Sequence, residues 1–500
     1  MRFRRVVIGG QSANLSLVDP PASVQSDRTY KRLIFVMIDG ATHDVLRDLM
    51  DAGNLPALAA LAEAGGGLKK AVTCFPSTTG PAYIPYFMGL FPGTANVPGY
   101  RWLSRAGYNG HGSRWTRPGL ASYSGREAMG FDLDLPAGSP TWFDYFGSRR
   151  NILNLLTRGC DPEDDVSRRI KPLLYSVGHY LHQWRFADMY AGRELVRAAA
   201  VGPEFIACAF NGVDGHSHER YPGAPKVVES YRTIDRAIAE ARSTLRASGR
   251  DEETLWVIGS DHGHSPTHTH IDVAQTLDGL GFPCMYYPRL WRQDAHCAEM
   301  VSGNGMTQVY FRNGAGGSDK GWSERTPWEE VEAHDLPDAL LSVEGIDLVA
   351  GKAADGSVRL RTAGGEATIN WRDGLCTYDF SGDDPVGCGA FDRLDADAVL
   401  RLTFDSARPD ACMQLSQLFR AERCGDIVIS AKRGYDLRAR WEVPEHHSTH
   451  GALIGPQMHV PVIISHPIAA DNFRTADVFP TVLRLMGKEP AESIDGIARL

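Results

Sequence analysis

Aspartate and histidine are concentrated in one short stretch of the sequence, VIGSDHGHSPTHTH (257–270). Asp261 follows its apolar start, and four of the chain's 17 histidines fall within the next nine positions. Such a cluster is typical of a solvated loop, of a weak site for stray metal, or of one half of a catalytic metal site. The other strand ends of the chain decide among these alternatives.

Carboxylates and imidazoles recur at the ends of three further strand-like segments. In FVMIDG the apolar run is followed by Asp39, and FNGVDGHSHE supplies Asp214 and His218. Late in the chain, PEHHSTHGALIG supplies His450. Each motif alone is compatible with an ordinary turn, but ligands of open α/β sheets bind beyond the carboxyl ends of the strands. Oxygen and nitrogen donors without thiolate are those of a zinc-type site, so the set favours a metal site.

A candidate nucleophile lies in AVTCFPSTTGPAYIPYFMGLFPG (71–93). The pattern predicts a strand over VTCF and a helix over GPAYIPYFMGL, which places Ser77, Thr78 and Thr79 at a turn before a helix. Unpaired amides and the helix dipole stabilise an alkoxide or a phosphate at such a position. Capping the helix is the alternative role of these hydroxyls, and the pattern leaves both roles open.

Four apolar runs predict the elements that position these groups: 32–39, 204–210, 254–260 and 459–465. Runs without alternation are typical of strands that are buried on both faces of a parallel sheet. Helical patterns lie between them, for example in APKVVESYRTIDRAIAEARSTLRASG. The sequence therefore predicts an α/β fold with a mostly parallel central sheet and helices on both faces.

Two regions interrupt the alternation of strands and helices. Residues 96–182 indicate long loops over the sheet, and residues 283–424 indicate an inserted α+β region that caps the substrate site. The segment GDIVISA is then expected to resume the main sheet. We therefore interpret 30–282 as the first part of the core, 283–424 as the insertion, and 425–500 as the second part of the core.

Composition limits the partners and the compartment. The net charge of −9 argues against binding of a nucleic-acid duplex, which needs a basic surface. No apolar run approaches the length of a membrane span. Nine scattered cysteines, an odd number, favour the reducing cytoplasm. The oligomeric state is not indicated.

Six ordered motifs together resemble the alkaline phosphatase superfamily, and within it the type I phosphodiesterase/nucleotide pyrophosphatase branch. They are FVMIDG, CFPSTTGPA…MGLFPG, NGVDGHSHERYP, SDHGH, STHGALIG…VPVIIS and RTADVFPTVLRLMG…IDG. They cover about residues 32–282 and 425–496. The resemblance implies an alkaline-phosphatase-like core and a metal-dependent hydrolase of phosphate esters, in the first place phosphodiesters or nucleotide pyrophosphates.

The resemblance also implies a site for two divalent ions, of which Zn²⁺ is favoured and Mn²⁺ or iron are alternatives. The ligands of the ion next to the nucleophile are Asp39, Asp261 and His262. The ligands of the other ion are Asp214, His218 and His450. Thr79 is preferred to Thr78 as the nucleophile that forms a phospho-threonine, because the branch has the pattern Phe-Pro-x-x-Thr-x-Pro.

The residues that contact the substrate are less well defined. The branch usually carries an asparagine after its Gly-Leu-Tyr-Pro segment, whereas GLFPGTANVPGYRW has glycine and tyrosine there. Asn96 and Arg101 are the candidate replacements, since guanidinium groups bind phosphate oxygens in pairs. Packing of Arg101 on a neighbouring aromatic ring is the alternative. Among the remaining histidines of the first motif, His264 is the best candidate for a substrate contact.

Other functions fit the same motifs. A phosphomonoesterase or a phosphonate hydrolase would use the same metal ligands on a small phosphate or phosphonate ester. A sulfatase is disfavoured because Thr78 stands where that class has an arginine. A catalytically silent binding protein on this fold is disfavoured by the complete set of ligands and the hydroxyl.

Overall fold

The structure is a computed structural model that describes the chain in several segments. The described residues are 7–8, 11–12, 29–105, 107, 119–287, 292, 294–312, 321–322, 324–438 and 445–500. Most of its strands belong to two sheets, one of seven strands and one of nine. No helix in these segments is long and apolar enough to cross a membrane.

The seven-stranded sheet contains all four of the predicted strands. Its strands, in spatial order, are Phe473–Arg474, Lys69–Val72, His459–Ile464, Thr254–Gly259, Arg32–Ile38, Phe205–Phe210 and Arg149–Ile152. Six of the seven run in one direction, and His459–Ile464 runs in the opposite direction. The predicted α/β fold with a mostly parallel sheet is confirmed.

Both faces of this sheet are buried. Successive side chains of a strand point to opposite sides, so each strand contributes to both faces. In the central strand, Leu33 and Phe35 enter one hydrophobic cluster, and Ile34 and Val36 enter the other. The helices that pack on the first face are Tyr83–Met88 and Thr475–Leu485. The helices that pack on the second face are His43–Asp51, Pro56–Ala64, Arg185–Val201 and Pro225–Ala247. Helices therefore cover both faces, as predicted.

The nine-stranded sheet accounts for most of the predicted insertion. Its strands, in spatial order, are Cys284–Tyr286, Cys297–Ser302, Met306–Phe311, Ile427–Ala431, Ile346–Lys352, Val358–Arg361, Gly365–Arg372, Leu375–Gly382 and Phe391–Leu394. The helices that pack on this sheet are Val273–Gly279, Trp328–Glu332, Leu336–Leu341, Ala396–Thr403 and Ala411–Leu418.

One prediction about this region is wrong. Ile427–Ala431, the strand within GDIVISA, pairs with Met306–Phe311 and Ile346–Lys352 in the nine-stranded sheet and does not resume the main sheet. A short apolar strand that is buried on both faces has the same sequence pattern in either sheet, so the pattern did not reveal its partner. The proposed domain boundaries remain an interpretation.

The region 96–182 also holds more regular structure than the predicted long loops. A hairpin pairs Arg101–Leu103 with Leu120–Ser122, and Arg149–Ile152 is the edge strand of the main sheet. Its helices are Gly125–Gly130, Phe131–Asp134, Trp142–Tyr145 and Lys171–Leu181. The edge strand, with the sequence RRNI, lacks the apolar run that identified the central strands.

Short elements near the carboxyl edge of the main sheet complete the fold. Helix Gly212–Glu219 follows the strand Phe205–Phe210. Ser265–His270 is a strand between Gly434–Asp436 and Ser448–Thr449. The remaining short elements are Val7–Ile8, Gln11–Ser12, Asp251–Glu253 and Gly455–Met458.

Candidate active site

The predicted aspartates converge because the strands before them are parallel neighbours. Asp39 directly follows the central strand, Asp261 follows the adjacent strand Thr254–Gly259, and Asp214 lies in the first turn of helix Gly212–Glu219. The carboxyl ends of parallel strands meet at one edge of a sheet. Residues that are far apart in the sequence are thereby brought to one place.

The first ligand cluster contains Asp39, Asp214 and His262, whose ligand atoms all lie within 4.8 Å of one another. His262 Nε2 lies 3.6 Å from Asp39 Oδ1 and 4.0 Å from Asp214 Oδ1. The same nitrogen lies 3.4 Å from Asp261 Oδ2. Asp261 is fully buried, and its Oδ2 has no hydrogen-bond partner among the described residues. A buried carboxylate oxygen without a partner fits a bound cation.

The second ligand cluster contains Asp214, His218, His264 and His450. Asp214 Oδ1 lies 2.7 Å from His264 Nε2 and 3.3 Å from His218 Nε2. The distance from Asp214 Oδ1 to His450 Nε2 is 3.8 Å. His264, which we predicted to touch substrate, thus lies among the ligand atoms themselves. Asp214 is shared by both clusters, so the two candidate metal positions are adjacent.

Backbone carbonyls fix the imidazoles of the site. The Nδ1 atoms of His218, His450 and His262 lie 2.9, 3.1 and 3.2 Å from the carbonyl oxygens of Ser448, Ser77 and Gly263. A carbonyl oxygen only accepts hydrogen bonds, so each Nδ1 must carry the proton and donate it. In the neutral ring, Nε2 then keeps its lone pair and faces the cluster, as a metal ligand requires.

Burial sets the charge state of these groups. It lowers the pKa of His262, His264 and His450, which favours the neutral form that binds metal. Burial, together with the charges of two neighbouring carboxylates, raises the pKa of Asp39 well above its usual value. Burial would also raise the pKa of Asp214, but the adjacent imidazoles outweigh it and hold that pKa well below its usual value. Crowded carboxylates and neutral imidazoles fit divalent cations.

The hydroxyl of Thr79 lies against the first cluster. Thr79 Oγ1 is 3.4 Å from Asp39 Oδ1, to which it donates, and 3.2 Å from His262 Nε2. Ser77 is fully buried, donates its hydroxyl to the carbonyl of Ala452 and accepts from the amide of Gly451. Its hydroxyl therefore has a structural role, whereas that of Thr79 is placed to react beside the ligands.

A cavity of ≈ 240 Å³ opens over the clusters and Thr79. Its other walls include the aromatic side chains of Tyr100, Tyr175 and Trp184. Arg101 also lines the cavity, with its guanidinium 4.7 Å from the ring centre of Tyr287 and 5.5 Å from that of Tyr100. Arg101 therefore packs on neighbouring aromatic rings and also lies at the cavity, so the two roles predicted for it are compatible.

Asn96 is placed differently from its prediction. Its Oδ1 accepts a hydrogen bond from the backbone amide of Arg423 at 3.1 Å, and its carbonyl accepts from the Arg423 guanidinium at 3.2 Å. It does not belong to the cavity wall that the described residues form. The Asn96 amide packs this loop against Arg423, so the structure gives no support to a substrate contact by Asn96.

Two further residues of the cavity wall were given no role from the sequence. His446 has its ring centre 4.1 Å from that of His218, and its Nδ1 lies 3.2 Å from Asn304 Nδ2. Asn211 donates from Nδ2 to Asp39 Oδ2 at 2.9 Å. The cues were present, since His446 precedes His450 by four positions and Asn211 directly follows a buried strand.

The carboxylates and imidazoles at the carboxyl edge of this mostly parallel sheet are the donors that a hydrolase with bound divalent ions would use. Within that class, the profile of the type I phosphodiesterase/nucleotide pyrophosphatase family matches residues 33–329, more than half of the chain. The chain belongs to this family and is by class a phosphoric ester hydrolase. Among curated proteins, none matches the sequence significantly.

Solved structures share the fold over nearly the whole chain. Phosphonoacetate hydrolase from Sinorhizobium meliloti 1021, in complex with phosphonoformate, is 17% identical, with a TM-score of 0.55, and the match covers 96% of this chain and 98% of that one. Murine ectonucleotide pyrophosphatase/phosphodiesterase 5 is 10% identical, with a TM-score of 0.55 and coverage of 92% and 96%. The human form is 11% identical, with a TM-score of 0.54 and coverage of 94% and 96%. The predicted alkaline-phosphatase-like core is confirmed.

Proposed function

We propose that the protein hydrolyses phosphate esters, in the first place phosphodiesters or nucleotide pyrophosphates, with Thr79 as the nucleophile at a two-zinc site. The observation that carries this proposal is the position of the Thr79 hydroxyl, within 3.4 Å of Asp39 and 3.2 Å of His262. A hydroxyl beside a metal-ligand cluster can be activated to attack phosphorus.

Two groups of residues would hold the ions. Asp39, Asp261 and His262 would hold the one next to Thr79. Asp214, His218 and His450 would hold the other, with His264 as a further ligand or as the group that orients Asp214. When bound, the ions would neutralise the phosphoryl oxygens and lower the pKa of the Thr79 hydroxyl. Zinc suits this donor set, and manganese or iron are alternatives.

The reaction then proceeds by two successive nucleophilic substitutions at the phosphorus atom, in which the protein's own residues take part. Thr79 Oγ forms a bond to phosphorus in line with the bond to the leaving alcohol, which departs with the electron pair. The hydroxyl proton is within reach of Asp39 Oδ1, 3.4 Å away. Water next attacks the phospho-threonine, and the Oγ–phosphorus bond breaks to restore Thr79. Aromatic walls and Arg101 hold the substrate during both steps.

A phosphonate hydrolase is the second candidate, and the cavity favours it. Its volume of ≈ 240 Å³ is below the range of about 300–1,000 Å³ that is usual for drug-sized ligands. Arg101 in its wall suits a second anionic group, such as a carboxylate, on a small phosphonate. The similar fold of an enzyme that acts on phosphonoacetate agrees with this alternative.

A comparison of three substrates separates these functions. With zinc bound, we expect bis-p-nitrophenyl phosphate to be turned over faster than p-nitrophenyl phosphate, as kcat/KM from nitrophenol release. Phosphate release from phosphonoacetate tests the second candidate, and Arg101→Met should reduce it more than it reduces diester turnover. If p-nitrophenyl phosphate is preferred, the phosphodiesterase proposal is wrong. If none of the three reacts with zinc bound, the silent binding protein is favoured.

We further infer that the protein works in a reducing compartment such as the cytoplasm. All nine cysteines lie in the described residues, and none of them forms a disulfide. Thiols that are mostly buried and unpaired agree with this inference.

A further inference from the structure

A second layer of buried polar groups lies behind the ligand clusters, with Asn211 at its centre. Asn211 ends the connection from the strand Phe205–Phe210 to the helix Gly212–Glu219 and is 5% exposed. Its Nδ2 donates to Asp39 Oδ2 at 2.9 Å, and its Oδ1 accepts from the Tyr175 hydroxyl at 3.3 Å. An ionised carboxylate only accepts hydrogen bonds, so the orientation of the Asn211 amide follows from its partners.

This arrangement divides the two oxygens of Asp39 between two tasks. Oδ2 is occupied by the Asn211 amide, whereas Oδ1 faces the Thr79 hydroxyl and His262 Nε2 at 3.4 and 3.6 Å. Without the amide, the carboxylate could rotate about its Cβ–Cγ bond and turn away from Thr79. The hydrogen bond from Asn211 therefore sets which oxygen is presented to the site.

Asp188, on helix Arg185–Val201, holds Asn211 in turn. Its Oδ1 accepts from the backbone amides of Asn211 and Gly212, at 3.1 and 3.0 Å. These amides open the helix that carries Asp214. A side chain at Gly212 is excluded, since its Cβ would lie 2.0 Å from Asp188 Oδ2. Asp188 thereby fixes the start of the ligand-bearing helix and the backbone of Asn211 together.

We propose that Asn211, clamped by Tyr175 and Asp188, is the positioning residue that orients Asp39 toward Thr79 and the adjacent metal. This role depends on one part of the proposed function, namely that Asp39 is a metal ligand. Groups that orient a metal ligand typically change affinity or activity by about 10- to 100-fold when they are removed. In this role Asn211 acts on the binding of the metal and not on the chemistry of the substrate.

Titration of the metal-free protein with Co²⁺ tests this role, because the visible absorption of bound Co²⁺ reports ligand geometry. For Asn211→Ala we expect one of two binding events to weaken by about 10- to 100-fold, with an altered spectrum, while the other is unchanged. Tyr175→Phe should act in the same direction but more weakly. Asp188→Asn, which keeps an acceptor oxygen, should preserve the affinity that Asp188→Ala loses.

The outcomes separate this role from the proposed function. If wild-type protein binds two ions and Asn211→Ala binds both equally well with the same spectrum, the positioning role is wrong and the metal site stands. If wild-type protein binds no divalent ion, the proposed function fails and this role fails with it. Circular dichroism of each variant shows whether the fold is kept, and Tyr175→Phe provides the test if Asn211→Ala does not fold.

Discussion

Replacement of Thr79 by alanine is expected to lower kcat by more than about 10³-fold, since the attacking oxygen is removed and the remaining groups cannot form the phospho-threonine. Metal content should stay at the wild-type value, because this variant keeps all six proposed ligand side chains. Steady-state turnover of bis-p-nitrophenyl phosphate and metal analysis of the same preparation measure both quantities.

Thr78→Val is the matched control for this variant. Thr78 is 1% exposed and directly precedes Thr79, so the substitution removes a neighbouring hydroxyl at nearly constant volume. We expect Thr78→Val to retain turnover and to form a phosphorylated Thr79 in acid-quenched samples. An active Thr79→Ala together with an inactive Thr78→Val would show that the nucleophile has been assigned to the wrong residue.

Removal of the metal is expected to abolish turnover and to leave the fold intact. A chelator takes away the charge that neutralises the phosphoryl oxygens and activates the hydroxyl, which we expect to cost more than about 10³-fold in kcat. The hydrophobic clusters on both faces of the sheet do not depend on the ions, so far-UV circular dichroism should not change. The melting temperature should fall, because a ligand of the native state stabilises it.

Two histidines of the stretch 257–270 test whether the metal dependence arises at this site. His262→Ala should reproduce the loss of turnover by removing one ligand, and added zinc should restore it poorly. His268→Ala should behave like wild type, because His268 is exposed and its ring packs on Tyr435, 5.6 Å away. Full activity of the chelated protein, or equal loss in both variants, contradicts metal-dependent catalysis at this site.

The positions of the candidate metal ligands were partly predictable from local patterns, and their assignment as ligands came from the resemblance to the family. Asp39 and Asp261 come directly after continuous apolar runs, and Asp214 comes four positions after the end of another. Such runs become neighbouring parallel strands. The edge to which they point is then fixed by the direction of the chain.

The remaining features depend on contacts between distant segments, which a single sequence does not display. Ile427–Ala431 lies in the interior of the nine-stranded sheet, paired on both sides, but its apolar pattern fits either sheet. Asn96 was assigned by its distance from a family motif, yet its amide faces Arg423, more than 300 positions later. Asn211 and Asp188 acquire their roles only where two helices and a strand pack together.

Anomalous diffraction from zinc-soaked crystals tests the central claim most directly. We predict two neighbouring zinc peaks per chain. The ligands expected at the first peak are Asp39, Asp261 and His262, with Thr79 Oγ alongside. The ligands expected at the second peak are Asp214, His218 and His450. A site with no zinc, or zinc bound away from Thr79, would contradict the account.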